Sequence, residues 1–142
     1  MRLQLKYQLF QARHIGADAV LLIAADLSKQ EVRSLTALAH DLQLEVLLEL
    51  HSEHELDYAD IDVDALGVNN RNLGTFVTNV ENSFRLAAQL PQDKVLVSES
   101  GIGNSETIRL LREAGYRGFL IGESFMKTDN PGEALKNFIS QL

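Results

Sequence analysis

Five short apolar segments recur along the chain, at residues 19–24, 45–50, 65–68, 94–98 and 118–121, with helical periodicity between them. That alternation is the tightest constraint on the fold. Parallel strands need a long crossover, and a helix is the usual one. Strands read as continuous apolar runs when helices cover the sheet, so the segments predict a parallel sheet buried on both faces. The β-then-α unit repeats at roughly 20 to 30 residues, the size of a module in a (β/α)8 barrel or a doubly wound sheet. No GxGxxG turn follows the first strand, where Leu27-Ser28 stands instead. A dinucleotide-binding sheet needs that turn, so the barrel is favoured. The reading is α/β: a partial (β/α)8 TIM barrel of five parallel βα units, forming one domain over residues 1–142.

The helices between the strands carry their own punctuation. Residues 7–15 read as a helix stopped by Gly16. Ser28-Lys29-Gln30-Glu31 has capping-box spacing, and Val32, Leu35, Leu38, Ala39 and Leu42 form the stripe behind it. Ser52 through Glu55 repeats that spacing and predicts a shorter helix. Further helices are expected over 80–90, stopped by Pro91, over 104–114, ended by Gly115, and from Pro131 to Ile139.

Composition narrows function only a little. The 142 residues are 45% hydrophobic and 23% charged, ordinary values for a globular protein. The longest apolar run, 19–25, is far short of a membrane span. Residues 1–6 lack the apolar core of a signal peptide, so a cytoplasmic location is expected. There is no cysteine, which removes disulfides, thiolate catalysis and Cys-type zinc sites. The net charge of −7 argues against a general nucleic-acid binder, yet backbone N–H groups can hold a small phosphate without a basic surface.

The strand ends carry polar groups that a structural strand does not need. Glu49 follows residues 46–48, Asn69 and Arg71 follow Gly67-Val68, Glu99 and Ser100 follow residues 95–98, and Glu123 follows Ile121-Gly122. In a barrel these ends share one mouth. Two carboxylates there can divide acid and base roles if their surroundings split their pKa values. Asn69 could orient a hydroxyl or carboxylate, and Arg71 could grip a carboxylate as a fork or clamp its own loop. Residues 101–104 and 121–124 are the last two βα turns, where barrels often bind phosphate, and their glycines let backbone approach an anion. His51 and His54 have HxxH spacing without a clear third ligand and read as surface histidines at a helix start, with no metal expected. No GxSxG surrounds Ser98 or Ser100.

Six segments together resemble the indole-3-glycerol phosphate synthase family. They are Tyr7-Gln8-x3-Ala12-Arg13, Gly16-Ala17-Asp18 with the strand after it, Leu48-Glu49-Leu50-His51, Gly67-Val68-Asn69-Asn70-Arg71-Asn72-Leu73, Val97-Ser98-Glu99-Ser100-Gly101-Ile102, and Phe119-Leu120-Ile121-Gly122-Glu123-Ser124. The resemblance implies a (β/α)8 lyase of tryptophan biosynthesis without metal or organic cofactor. It would close the indole ring of 1-(2-carboxyphenylamino)-1-deoxyribulose 5-phosphate, releasing CO2 and water. It implies Glu49 as acid/base, Asn69 and Glu99 as substrate-orienting groups, and Arg71, Leu73 and Ser100 as pocket walls. Backbone at Gly101, Gly122 and Glu123 would hold the phosphate.

The five strands resemble the family's strands four to eight. Two catalytic lysines and a glutamate that the family carries on its first three strands have no counterpart here, and Lys6 lies too close to Tyr7-Gln8 to be one of them. The chain is therefore expected to be inactive alone; five strands would leave two sheet edges and an apolar inner face uncovered, so it is expected to self-associate or pair with an N-terminal barrel fragment. The alternative is a non-catalytic remnant that still binds phosphate or self-associates. The small phosphorylated substrate is the expected partner, with no nucleic acid or membrane.

Overall fold

The computed structural model describes residues 5–142. The reading of residues 1–6 as no signal peptide falls mostly on residues 1–4, outside the described residues. Helix α1 (Lys6–His14) leads into strand β1 (Ala19–Ile23), helix α2 (Lys29–Asp41), β2 (Glu45–Leu50), a 3-10 segment (Glu53–Asp60) and β3 (Ala65–Asn69). Then come α3 (Glu81–Ala87), β4 (Val95–Glu99), α4 (Ser105–Glu113), β5 (Gly118–Leu120), α5 (Glu123–Met126) and α6 (Pro131–Ile139). All strand pairs are parallel, in the order β1-β2-β3-β4-β5. This is the α/β architecture of a partial TIM barrel. Among the described residues no helix is long and apolar enough to cross a membrane.

The helix starts are set by side-chain caps. Ser28 accepts the N–H of Glu31 at 3.2 Å while the Glu31 carboxylate accepts the N–H of Ser28 at 2.7 Å, closing the capping box. Those contacts hold Glu31 below the usual carboxylate range. Asn104 caps α4 through Thr107, and Asn130 caps α6 through Glu133. The capping signature at Ser52 does not operate: its side chain caps nothing and the segment is 3-10. Glu55 instead accepts the N–H of His51 at 2.6 Å, so the acceptor needed for the box is used one residue earlier. Helix α3 stops at Ala87, short of the expected residue 90. The amide of Gln92 bonds the carbonyls of Ala87 and Leu90, and Pro91 disfavours helical backbone before it.

The two faces of the sheet differ: one is buried under helices, and the inner one is more open, as expected of a five-stranded piece of a barrel. On the helix-covered face Val20, Leu22, Val46, Leu48, Leu50, Leu66, Val68 and Leu96 are all buried. They pack with Val32, Leu35, Ala39, Leu86, Ile108 and Leu111 in the main core. Burying each side chain of this size stabilises the fold by about 1.5–3 kcal/mol. The opposite face carries Leu21, Leu47, Glu49, Gly67, Asn69, Val97, Glu99 and Leu120 in register. There Val95 and Leu120 are each 49% exposed. Leu21 and Leu47 on this face are half-buried and Val97 is buried, so the face is open mainly at Val95 and Leu120.

Candidate functional site

The pleat explains how residues far apart in sequence converge. Glu49 is registered with Gly67, and Asn69 with Glu99, so all four share the inner face at the carboxyl ends of β2, β3 and β4. Glycine at 67 is required by close approach. A Cβ there would fall 2.0 Å from Oε1 of Glu99, so the space a side chain would take is filled by that carboxyl.

Glu49 and Glu99 are buried, at 4% and 5% exposure. Asn69 Nδ2 donates to Oε1 of Glu49 at 3.0 Å. His51 brings Nε2 to 3.0 Å from the same oxygen, close to it but off the line of a hydrogen bond. Burial opposes charge on Glu49, but the contacts from His51, Glu99 and Asn69 outweigh it and hold this carboxyl well below its ordinary range. Glu99 goes the other way. Burial, then the adjacent Glu49 carboxylate, push it far above the ordinary range, and its Oε1 has no hydrogen-bond partner. Two carboxyls that close cannot both ionise cheaply, so one stays neutral near pH 7. The site thus holds a carboxylate acceptor and a carboxylic acid donor side by side.

The remaining candidate residues lie at the rim. Arg71 does not face Glu49 or Glu99; its guanidinium pairs with Glu123 at 3.1 Å, joining the loops after β3 and β5. Both partners are substantially exposed, so the pair contributes at most about 1 kcal/mol. Arg71 lines both a cavity of about 840 Å³, shared with Leu73, His51 and Asn82, and a cavity of about 470 Å³. The smaller one is walled by Ser100, Gly101, Gly122, Glu123 and Lys127. Ser100 and Gly101 both have positive φ, +70° and +73°. A left-handed serine costs about 1–2 kcal/mol, so surrounding structure must hold it. Ser124 Oγ donates to the carbonyl of Ile102 at 3.1 Å, tying the two glycine turns together.

Sequence reasoning missed three contributors. His51 is not a surface histidine: its side chain is 11% exposed and reaches Glu49. Extended backbone puts residues two apart on one face, so its spacing from Glu49 was the available signal. His54 is exposed, and among the described residues no group of three or more His, Asp or Glu is placed to hold a metal. Lys127 on the smaller cavity and Asn70 behind the sheet carried no signal of their own.

Residues 3–138 match the profile of the family described as indole-3-glycerol phosphate synthase. Curated relatives of that name include a protein of Bacteroides thetaiotaomicron, 62% identical over 137 residues that cover 96% of this chain and 53% of the relative. One of Magnetococcus marinus is 46% identical over 136 residues, covering 95% of this chain and 51% of the relative. One of Acidithiobacillus ferrooxidans is 46% identical over 132 residues, 92% and 50% respectively. The chain spans about half the length of the curated relatives it matches. With the motifs, the parallel sheet and the convergent strand ends, this match assigns the chain to the indole-3-glycerol phosphate synthase family.

Proposed function

We propose that this chain supplies the carboxyl-bearing and phosphate-binding half of a cytoplasmic indole-3-glycerol phosphate synthase. The observation that carries the reading is the pair of buried carboxyls beside Asn69 on the inner face, Glu49 held ionised and Glu99 held neutral. Ring closure of 1-(2-carboxyphenylamino)-1-deoxyribulose 5-phosphate joins the ring carbon bearing the carboxylate to the ketone carbon. CO2 leaves, and the former ketone oxygen departs as water. Charge grows on that oxygen as the bond forms, so a positioned acid lowers the barrier. Later steps need a base. Glu99, kept neutral, is suited to donate, and Glu49, kept ionised, to accept, while Asn69 fixes the Glu49 carboxylate. Arg71 is suited to the substrate carboxylate once released from Glu123, Leu73 to its ring, and Ser100, Gly101, Gly122 and the Glu123 backbone to its phosphate.

Turnover on this reading also requires the lysines that the resemblance places on other strands. The half-exposed Val95 and Leu120, and the position of β1 and β5 at the edges of the sheet formed by the described residues, support pairing with a complementary barrel fragment. The experiment is to mix the chain with the first half of the Bacteroides thetaiotaomicron relative and assay formation of indole-3-glycerol phosphate. We expect turnover in the mixture, none from either piece, and loss of turnover with Glu49→Gln. Binding of a phosphate-bearing substrate analogue to the chain alone should be weak and nearly unchanged by that substitution. Heterodimer formation with analogue binding but no turnover would favour a non-catalytic phosphate-binding half-barrel. A homodimer that excludes the fragment would overturn the pairing.

A further inference from the structure

On the helix-covered side of the sheet, opposite Glu49 and Glu99, a buried polar cluster has no place in the chemistry above. Asn70, 4% exposed, stands between Ser83 and Ser98, both fully buried. Every polar group of Asn70 is used. Its N–H donates to the Glu99 carbonyl at 2.8 Å, and its carbonyl accepts from the Asn79 N–H at 2.9 Å. Its Oδ1 accepts from the N–H and the hydroxyl of Ser83 at 3.0 and 2.9 Å. Its Nδ2 donates to Ser98 Oγ at 3.2 Å and to the Ser100 carbonyl at 3.0 Å. The Ser83 and Ser98 hydroxyls meet at 2.7 Å, and the buried Tyr116 hydroxyl donates to the Ser83 carbonyl at 2.6 Å.

The direction of these bonds matters. The acceptor end of Asn70 faces α3, and the donor end faces the turn after β4. Ser100, at the start of that turn, holds a left-handed backbone that serine disfavours. The Asn70 side-chain bond to its carbonyl comes from outside the turn. Aspartate has the same shape but no amide donor, and leucine has neither donor nor acceptor.

The geometry points to Asn70 as a positioning residue that holds Ser100 in its left-handed conformation from behind the sheet and so aims the Ser100–Gly101 turn at an anion. The anion part rests on the phosphate reading given under Proposed function; the part about the turn does not. Asn70 also links two loops, since its side chain reaches from the loop bearing Arg71 to the carbonyl of Ser100.

The test separates positioning from support of the fold. In Asn70→Asp, the bonds to Ser83 survive and the donors to Ser98 and Ser100 are lost. We expect the Gly101 backbone amide to shift in its NMR spectrum. Affinity for inorganic phosphate should fall about fivefold, the loss of one buried hydrogen bond, while 2-aminobenzoate affinity stays within about twofold. Ser98→Ala removes a partner of Asn70 without touching its bond to Ser100, so it should lower stability while leaving the Gly101 amide in place. If Asn70→Asp leaves Gly101 unmoved, or Ser98→Ala moves it equally, the inference fails. Should Asn70→Asp not fold, the unsubstituted chain decides: the Asn70 side-chain amide protons should exchange at least about 100-fold more slowly than those of exposed Asn137. Equal rates overturn the inference. Absence of phosphate binding by the unsubstituted chain would sink the phosphate reading, and the Gly101 amide would still decide the role of Asn70.

Discussion

Replacing Glu99 with glutamine keeps its shape and removes the proton that the folded chain holds and the unfolded chain releases. An ordinary glutamate titrates near about 4.3. Burial and the Glu49 carboxylate raise Glu99 well above that. Between those two values the native state binds one proton more than the unfolded state. Unfolding free energy therefore falls with rising pH, at about 1.4 kcal/mol per pH unit. A raised folded value means the stabilisation is complete below the unfolded pKa and lost as pH rises through the folded one. Glu49 acts in a separate, acidic window. Its folded value is depressed, so its contribution is present above the unfolded pKa and lost as pH falls through the folded one. Urea unfolding from about pH 5.5 to about pH 7.5 should show the difference between Glu99→Gln and the parent growing in favour of the variant by up to roughly 3 kcal/mol. Against a usual total of about 5–15 kcal/mol, such a change is easily measured. A difference that stays flat over that range would mean Glu99 is ionised in the folded protein, and the division of acid and base between the two carboxyls would fall with it.

Two further substitutions probe the frame around the site. Gly67→Ala would place a methyl 2.0 Å from Glu99 Oε1 and 3.3 Å from Leu47 Cδ1, so the buried carboxyl must move. It should cost about 1–3 kcal/mol and flatten the pH dependence assigned to Glu99, both read from the same urea curves; parent-like curves would contradict the packing. Ser28→Ala opens the capping box of α2 and should cost about 1 kcal/mol in a thermal melt without altering analogue binding.

The order of strands and helices could be read from local pattern because a parallel sheet needs apolar runs and crossover helices, and both leave periodic traces. Ser28, Asn104 and Pro131 marked helix starts correctly, since capping depends on residues within one turn. The same logic failed at Ser52, because Glu55 was bonded by His51 rather than by the would-be cap. Glu49, Asn69 and Glu99 could be named as strand-end polar residues, and period two alone puts alternate residues on one face. Their meeting depended on strand register, which joins Glu49 to Gly67 and Asn69 to Glu99 across more than one crossover.

Charge state lay beyond local pattern altogether. Glu49 and Glu99 are the same residue type at equivalent strand ends, and what separates them is that His51 and Asn69 reach one carboxyl while the other is buried with an unpartnered oxygen over Gly67. Arg71 was legible as a cation at the mouth, but only tertiary structure turned it towards Glu123. The sequence by itself determined the βα alternation, the family and the residues at the strand ends, because those follow from short-range pattern and composition. The tertiary structure decided which of those residues touch, which stay charged and which face of the sheet stays open, because these depend on distances between segments far apart in the chain.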